Sequence, residues 1–393
     1  NYTSESLAPW NGKKQSIKSV TISEITSIGS HACNGCTSLN SVTINSGIFV
    51  GNNAFEGCKS ITTISFPDSM KTIGDNAFNK CSQLNAITNW GGITSLGLNS
   101  FTQTAFTHLE IPSNVTQIGS NSFSTNTLLK TVEYKGTTDP CKGGNAFEGD
   151  TGITNNIATV PIEYKNESFC GLTPMTKGEC GTGCTWTFNH NNKDLTITGT
   201  GSVSIEDVNS GKAPWYSKRN EIDSISMTGI NRIGNNAFNG CNVTTEITIP
   251  GSVKTIGTSS FEGCTKLNKI TSWGGVDTIE TKAFKSTGFT TIEIPKEIKS
   301  IGSQAFIDSK LTEVIYKGTR NPTTCSSDAF ESTSVTHIEV EFTYTETTDF
   351  CGKPPRTKGA CDSTLKDEKV CKYEYLHIDK SLSFTGNGAM NNY

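Results

Sequence analysis

The sequence predicts a β-rich solenoid, in which short coils of similar length stack along one axis and bury their apolar side chains between them. Three observations predict it: a regularly recurring phenylalanine, an Ile-Gly pair before it, and a short alternating strand pattern after it. The phenylalanine returns about every 23 residues, a period typical of a repeat architecture. This period occupies two separate stretches of the chain, so we expect two tandem solenoid blocks.

The recurring phenylalanines form two sets with the same rhythm. In both sets the third interval is the shortest and the fourth is the longest, and every counterpart pair has the same separation along the chain. Cys33 takes the phenylalanine position in one extra repeat at the start. One coil cannot bury such a ring alone, so we expect the rings to form an interior column. The positions are Phe55, Phe78, Phe101, Phe123 and Phe147, and then Phe238, Phe261, Phe284, Phe306 and Phe330.

Each unit reads Ile-Gly-x-x-Ala/Ser-Phe-x-x-Cys/polar-x-Leu-x-x-Ile, as from Ile73 to Ile87 and from Ile256 to Ile270. The segment that follows alternates apolar and polar residues, as in Ile292-Glu293-Ile294, which is typical of a half-buried strand. Stacked coils would place these strands in a parallel ladder. The recurring glycine indicates a turn in which a side chain would clash or φ must be positive.

This unit resembles the BspA-like, or Treponema pallidum type, leucine-rich repeat, and the resemblance covers nearly the whole chain. The stretch from Cys184 to Tyr216 is similar to the segment that introduces such repeats. The resemblance implies right-handed solenoids with a parallel sheet on one face. It also implies a surface or secreted protein linked to adhesion or protein binding, with no catalytic residues. The chain departs from the pattern at Cys33, at Glu280 in place of glycine, and around Asn145 and Asp328.

The predicted organisation is two leucine-rich-repeat solenoid blocks joined by disulfide-stapled cap and hairpin segments. Trp186 to Thr198 predicts a hairpin with an Asn-rich turn, in which His190 is expected to be exposed. The predicted segments are 1–27 (end of a cap), 28–160 (first solenoid), 161–180 (C-terminal cap and linker), 181–227 (hairpin cap), 228–342 (second solenoid), 343–361 (C-terminal cap and linker) and 362–393 (start of a further cap).

The two ends of the chain read as one interrupted motif. In the internal copy of this motif, Gly199 and Ala213 are fourteen residues apart. If the end of the chain is joined to its start by overlaying Tyr393 on Tyr2, the corresponding glycine and alanine are thirteen residues apart. We therefore favour the hypothesis that the chain is about one period of a longer tandem array. The alternative is a cut at an arbitrary domain edge.

Five of the 14 cysteines lie three residues after a repeat's phenylalanine position. Leucine-rich repeats place Asn or Cys at such a position. A row of three thiols cannot pair completely, so we expect free buried thiols at Cys36, Cys58, Cys81, Cys241 and Cys264.

Eight further cysteines form two matched quartets, and each quartet allows three pairings. A zinc site is the alternative, although neither quartet holds a second closely spaced pair. We favour the bridges Cys141–Cys170, Cys180–Cys184, Cys325–Cys351 and Cys361–Cys371.

Composition excludes several classes of protein. The net charge of −4 is dispersed, whereas a nucleic-acid-binding protein would carry a basic stripe. No run of 18 apolar residues is present, and the cysteine count favours a secreted or cell-surface protein. The five histidines lie in no catalytic motif, so we expect no enzyme, cofactor or metal. Candidate glycosylation sequons begin at Asn1, Asn114, Asn166 and Asn242.

The outward strand positions are the candidate partner-binding face, because repeat proteins bind through such extended surfaces. The alternative is a polar surface with no binding role. Trp90 and Trp273, each followed by two glycines, recur at the same separation as the phenylalanine counterparts and are expected to pack over a strand edge. The face comprises Thr43, Ser65, Thr88, Glu110 and Glu133 in the first block, and Thr248, Thr271, Glu293, Ile315 and Glu339 in the second.

Two functions follow from these expectations. The first is an extracellular or cell-surface structural or assembly protein, whose tandem blocks contact each other or further copies. The alternative is an adhesin or receptor-like module that engages a host or partner protein through its parallel sheet.

Overall fold

The computed structural model describes residues 8–204, 213–360 and 372–385, and the chain divides into two compact units. Unit 1 holds the residues up to 176 together with 189–192, and unit 2 holds 177–188 and the residues from 193 onward. The division falls within the strand Thr173–Gly181. Within the described residues, no helix has the length and apolar character needed to span a bilayer.

Unit 1 is a stack of coils with two rows of parallel strands. The row of longer strands consists of β1 Ser19–Ile22, β3 Ser41–Ile44, β5 Thr63–Ser65, β7 Ala86–Asn89, β9 His108–Ile111, β11 Thr131–Tyr134, β12 Ile157–Thr159 and β13 Thr173–Gly181. The row of two-residue strands consists of β2 Ser27–Ile28, β4 Phe49–Val50, β6 Thr72–Ile73, β8 Ser95–Leu96 and β10 Gln117–Ile118. Short 3₁₀ turns span Asn11–Lys13 and Thr154–Asn156.

Unit 2 begins with the predicted hairpin, formed by β14 Cys184–Asn189 and β15 Asp194–Ser204, and contains a 3₁₀ turn at Tyr216–Lys218. Its longer strands are β16 Ser224–Ile233, β17 Glu246–Thr248, β19 Lys269–Ser272, β21 Thr291–Ile294, β23 Glu313–Tyr316 and β25 Ile338–Val340. Its two-residue strands are β18 Thr255–Ile256, β20 Thr278–Ile279, β22 Ser300–Ile301 and β24 Thr324–Cys325. The antiparallel strands β26 Pro355–Ala360, β27 Lys372–Leu376 and β28 Ser381–Thr385 follow. The predicted solenoid blocks with parallel sheets are confirmed.

A column of stacked aromatic rings fills the interior of each unit. The ring centroids of Phe78 and Phe101 are 5.2 Å apart and their planes differ by 1°, and Phe261 and Phe284 are 5.3 Å apart. The turns that carry the rings also bond to each other, because the Phe78 N–H donates to the Ser100 carbonyl at 2.8 Å. Each coil is therefore completed by the next one. Every predicted phenylalanine position is buried, at Phe55, Phe78, Phe101, Phe123 and Phe147 and at Phe238, Phe261, Phe284, Phe306 and Phe330.

The recurring glycine is explained by close packing between coils. Gly74 does not have a positive φ, but a Cβ there would lie 2.5 Å from Asn52 Oδ1 and 2.8 Å from the Val50 carbonyl oxygen. A left-handed residue of this turn lies two residues before the phenylalanine and is an asparagine in most coils, such as Asn76 at φ 55°. Asparagine tolerates that conformation better than most residues do.

The position three residues after each phenylalanine is a hydrogen-bonding position. The thiol of Cys81 donates to the Phe55 carbonyl at 3.2 Å, and the hydroxyl of Ser309 donates to the Phe306 carbonyl at 2.6 Å. Burial raises the pKa of the Cys81 thiol to about 12, so it remains protonated and able to donate. The free cysteines of the described residues are Cys33, Cys36, Cys58, Cys81, Cys241 and Cys264, and all are buried.

Aromatic residues and disulfides close the end of each stack. In unit 1 the Tyr134 and Phe169 rings lie 4.9 Å apart, and in unit 2 Tyr316 and Phe350 lie 4.7 Å apart. Three disulfides join the cysteine pairs that we favoured, while Cys361 and Cys371 lie outside the described residues. The Cα–Cα distances are 5.1 Å for Cys141–Cys170, 5.0 Å for Cys180–Cys184 and 5.0 Å for Cys325–Cys351.

The expected exposure of His190 is wrong, because the hairpin turn packs into the core of unit 1. The His190 side chain is 1% exposed, its Nε2 lies 2.8 Å from the Thr176 hydroxyl, and its ring meets the Tyr164 ring edge-on. His377 is held in the same way, 2.8 Å from the Thr357 hydroxyl. These histidines are part of the core.

The carboxyl group of Asp150 should make the stability of unit 1 depend on pH. Burial raises its pKa from 3.8 to about 7, and its buried Oδ2 has no hydrogen-bond partner among the described residues. The folded chain therefore keeps a proton that the unfolded chain releases near pH 4, so this contribution is largest at low pH and is lost as the pH rises to about 7. We expect Asp150→Asn to stabilise unit 1 relative to wild type by about 1–2 kcal/mol more at pH 8 than at pH 4, after allowing for solvent screening.

Urea unfolding of both proteins at the two pH values measures this difference. Asp308→Asn, at an exposed position, serves as the control for the same change of side chain. A stability difference for Asp150→Asn that is the same at both pH values would contradict the assignment.

Candidate binding face on the longer strands

The ten predicted face residues all lie on the longer strands. The side chains of Glu133, Ile315 and Glu339 are half-buried, and the others are exposed. In β9 and β11, Glu110 lies directly opposite Glu133. In β21, β23 and β25, Glu293, Ile315 and Glu339 follow one another in register. The last coils of each unit therefore present a continuous row.

The row is interrupted further up each stack. In unit 1, β5 and β7 form a sheet that is separate from the one containing β9 and β11. A register irregularity within the β5–β7 pair places Asn89, rather than Thr88, opposite Ser65. Unit 2 repeats this arrangement, since Ser272 rather than Thr271 lies opposite Thr248. Thr88 and Thr271 are therefore bulged residues beside a gap in the sheet.

The Trp-Gly-Gly sequence explains the interruption. Gly91 has φ 53°, and a Cβ there would lie 2.2 Å from the Pro67 carbonyl oxygen of the preceding coil. Gly274 has φ 57°, and its Cβ would lie 2.1 Å from the Pro250 oxygen. Each tryptophan leaves the strand just before this contact. The half-buried Trp273 ring packs edge-on against Phe284 at 6.0 Å, and its Nε1 donates to the Glu293 carbonyl at 2.8 Å.

A groove opens beside each of these two tryptophans. The Trp90 groove has a volume of about 360 Å³, and the Trp273 groove has a volume of about 590 Å³. Most of their lining residues are counterparts, with the same separation along the chain as the two tryptophans. The counterparts of similar type are Ile87, Thr88, Trp90, Phe106, Leu109, Glu110 and Pro112 in unit 1, and Ile270, Thr271, Trp273, Phe289, Ile292, Glu293 and Pro295 in unit 2. Two further counterpart positions differ in type, with Ala86 and His108 in unit 1 and Lys269 and Thr291 in unit 2.

Lysines offset most of the negative charge on this face. Lys135 Nζ lies 3.5 Å from Glu110 and also contacts Glu133, whose hydrogen bond raises the pKa of that lysine. In unit 2, Lys358 lies 2.7 Å from Glu339. The sequence analysis did not identify these lysine partners, because each lysine lies either two residues after its glutamate or in a neighbouring coil. Such exposed pairs contribute little stability, so they chiefly set the charge pattern of the face.

One cluster on the face has a composition that suits a metal ion. The ligand atoms of His108, Glu110 and Glu133 lie within 4.8 Å of one another. The imidazole is already bonded, with its Nδ1 2.6 Å from the Thr131 hydroxyl, and Lys135 contacts both carboxylates. The cluster is therefore held together without an ion.

The glycosylation sequons differ in accessibility. Asn114 and Asn166 are exposed and Asn242 is half-buried, while Asn1 lies outside the described residues. Asn114 Nδ2 donates to the Ile93 carbonyl at 2.6 Å, so a glycan there would require this bond to be released.

Gly91→Ala tests the cause of the bulge. The methyl group would meet the Pro67 carbonyl, and alanine is strained at this φ, so we expect unit 1 to be destabilised by about 2 kcal/mol or more. The measurement is the urea midpoint of unfolding. Gly12→Ala is a matched control, since a Cβ there meets nothing within 4 Å. Equal midpoints for the two variants would show that close packing does not require glycine at this position.

Comparison with known proteins agrees with the described fold. The family model described as the BspA type leucine rich repeat region matches residues 12–138 and 231–352, in six copies. No curated protein matches the sequence.

Several solved structures of bacterial leucine-rich repeat proteins are similar to this chain at low identity. One from Bacteroides ovatus is 20% identical, with 82% of this chain and 86% of that chain covered and a TM-score of 0.32. A leucine rich cell surface protein from Faecalibacterium prausnitzii is 22% identical, with 83% and 79% covered and a TM-score of 0.26. The T. pallidum leucine-rich repeat protein is 16% identical, with 74% and 76% covered and a TM-score of 0.19. Because the family model matches more than half of the residues, in the same stretches that form the stacked coils, the chain belongs to the BspA-type leucine-rich repeat family.

Proposed function

We propose that this chain is a protein-interaction module of the cell surface or the extracellular space, and that it binds its partner through the Trp90 and Trp273 grooves. The observation that carries the proposal is the occurrence of the same groove in both units, lined by counterpart residues of the two repeat blocks. Each groove combines an apolar floor with an aromatic wall and a carboxylate rim. This is the composition expected of a site for a protein side chain.

The gap in the sheet indicates what form the partner takes. The ladder that joins β5 to β7 does not continue to β9, so the β7 and β9 edges that border the Trp90 groove are not paired with each other. An extended segment can satisfy such edges by adding main-chain hydrogen bonds. We propose an extended partner segment that places an apolar side chain over Ile87 and Leu109 and a basic side chain near Glu110.

The location outside the cytoplasm is supported by the disulfides, which persist in oxidising compartments. Self-association, a neighbouring block and a host or surface protein are all possible partners for such a module. We also propose that the chain is not an enzyme. The thiols of Cys58, Cys81 and Cys264 support this, because burial raises their pKa and so disfavours the nucleophilic thiolate. Cys36 is an exception, because its hydrogen bond with Cys33 lowers its pKa.

A groove-filling variant tests the proposal. Thr88→Arg and Thr271→Arg, combined in one protein, place a long cation at each rim and should lower the affinity for a partner at least about tenfold. Labelled wild-type chain is first screened against an array of extracellular proteins, and the affinity of each hit is then measured for the variants.

The matched control is Thr94→Arg, which is exposed but lies beside the two-residue strand β8. It should bind as wild type does. Each single groove variant should retain part of the binding, because the other groove remains open. If the double variant bound every partner as tightly as wild type, the grooves would not be the binding site.

A further inference from the structure

A further groove lies in unit 2, beyond the ends of two longer strands. We call it the loop groove, and it is lined by residues 296–299, 316 and 318–323. It opens between the connection 295–299, which follows β21, and the connection 317–323, which follows β23. Its volume is about 470 Å³, and it shares no lining residue with the Trp273 groove. It is therefore a separate surface of the same repeat block.

Positively charged side chains dominate the loop groove. Lys296, Lys299 and Arg320 line it and are exposed. Glu297 is the one carboxylate of the lining. Lys299 Nζ lies 3.2 Å from Asp277 Oδ2, and its side chain is still 71% exposed. Among the described residues, no carboxylate forms an ion pair with Lys296 or Arg320. A chain whose net charge is −4 thus presents a local excess of positive charge here.

Contacts beneath the loop groove hold its second wall in place. The Tyr316 ring is 2% exposed, and its hydroxyl donates to the Arg320 carbonyl at 2.8 Å. A Cβ at Gly318 would lie 2.2 Å from Tyr316 Oη, so glycine lets the backbone approach this hydroxyl. Asn321 Nδ2 donates to the Asp349 carbonyl at 3.1 Å. The backbone that carries Arg320 is thus fixed, and only its long side chain needs to be ordered when a ligand binds.

The first block has the same frame without these charges. Tyr134 and Gly136 are the counterparts of the tyrosine and the glycine of the loop groove, and a Cβ at Gly136 would also lie 2.2 Å from the tyrosine hydroxyl. The three cations are replaced there by uncharged residues, namely Ser113, Thr116 and Thr138. The frame is thus common to both blocks, whereas the positive charge is specific to the second. Packing of the coils therefore does not require these cations.

The strands beside the loop groove offer no free edge to a peptide. β21 pairs with β23, with Ile294 opposite Tyr316, and β22 pairs with β24. A segment that enters the groove meets paired strands on both sides, so it cannot add to a sheet. It meets instead the exposed residues Thr319 and Thr323, whose hydroxyls lie among flexible cations. These groups suit a ligand that is itself hydrated, rich in hydroxyl groups and anionic.

We propose that the loop groove binds a linear polysaccharide that carries sulfate or carboxylate groups. The anionic groups lie against Lys296, Lys299 and Arg320, and the sugar hydroxyls bond to Thr319 and Thr323. An exposed cation binds such a group with only partial loss of its water, so each contact is weak and several act together. This inference goes beyond the grooves of the strand face, which are proposed to bind a protein segment.

Removal of the three cations tests this proposal. The triple variant Lys296→Gln, Lys299→Gln and Arg320→Gln should bind at least about tenfold more weakly, because each exposed ion pair contributes roughly 1.5- to 5-fold to an affinity. Fluorescence anisotropy measures the affinity of the 393-residue chain for labelled octasaccharides of heparin, which carry sulfates and carboxylates, and of hyaluronan, which carry carboxylates only. Binding of heparin alone would assign the site to sulfate, and binding of both would show that a carboxylate suffices. Added sodium chloride should weaken the binding.

Glu297→Gln should have the opposite effect. It removes the one carboxylate of the lining and with it a repulsion toward the bound anion, so the affinity should rise about two- to threefold. The measurement is the same anisotropy titration. An unchanged or lower affinity would contradict the placement of an anion beside this residue.

The matched control removes three exposed lysines outside the loop groove, by Lys59→Gln, Lys266→Gln and Lys310→Gln. The net charge changes by the same amount, but the affinity should stay close to that of wild type. Circular dichroism confirms that each variant is folded. Equal losses for the control and the triple variant, a wild-type chain that binds neither octasaccharide, or equally tight binding of an octaglutamate peptide would each overturn the proposal. The triple variant should leave the binding of protein partners unchanged, so failure of one proposal is distinguishable from failure of the other.

Discussion

The stacking of one phenylalanine ring on the next is the interaction on which both units depend. Rings 5.2 to 5.7 Å apart, as in the column from Phe55 to Phe123, leave no space between coils for an inserted residue. Burial of each ring contributes roughly 1.5–3 kcal/mol, and a coil realises this only when a neighbour covers it. Sequence differences between coils are therefore confined to positions that face outward. This explains why the bulge at Thr88 changes the outer face while the column beneath it remains regular.

The cysteines that the structure describes, apart from Cys33, fall into two groups with separate physical causes. One group serves the column, because the turn that carries each ring leaves a buried carbonyl that needs a donor. Cys81, Asn126 and Ser309 all meet this need, so thiol, amide and hydroxyl groups are interchangeable at that position. The disulfides instead cross-link the chain at the ends of the stacks, where no further coil covers the core. Neither group requires a reactive thiol.

Sequence periodicity could predict the coils because the ring, the glycine and the strand recur with one spacing. The outward strand positions could also be predicted, since alternation within a strand decides which side chains face solvent. Register between strands could not be predicted in this way. The Trp-Gly-Gly repeat was visible at Trp90 and Trp273, but the gap beside it follows from the positive φ of Gly91 and its contact with Pro67. The lysine partners of Glu110 and Glu339 depend on the same register.

The burial of His190 shows a second limit on what can be predicted from the sequence. An Asn-rich turn is normally exposed, and only the position of the whole hairpin brings this ring against Tyr164 and the Thr176 hydroxyl. The same contacts recur around His377, with Tyr344 and Thr357. A pattern of local residues cannot reveal such a contact, because the partners lie fourteen or more residues away along the chain. The recurrence of Thr and His in both copies is the signal that could have found it.

The strand face can distinguish partners by their charge pattern. Its lysines and carboxylates are already paired and exposed, so that surface can select a partner by charge pattern more readily than it can hold one tightly. Affinity has to come from the apolar floors of the Trp90 and Trp273 grooves, where an inserted side chain is removed from water.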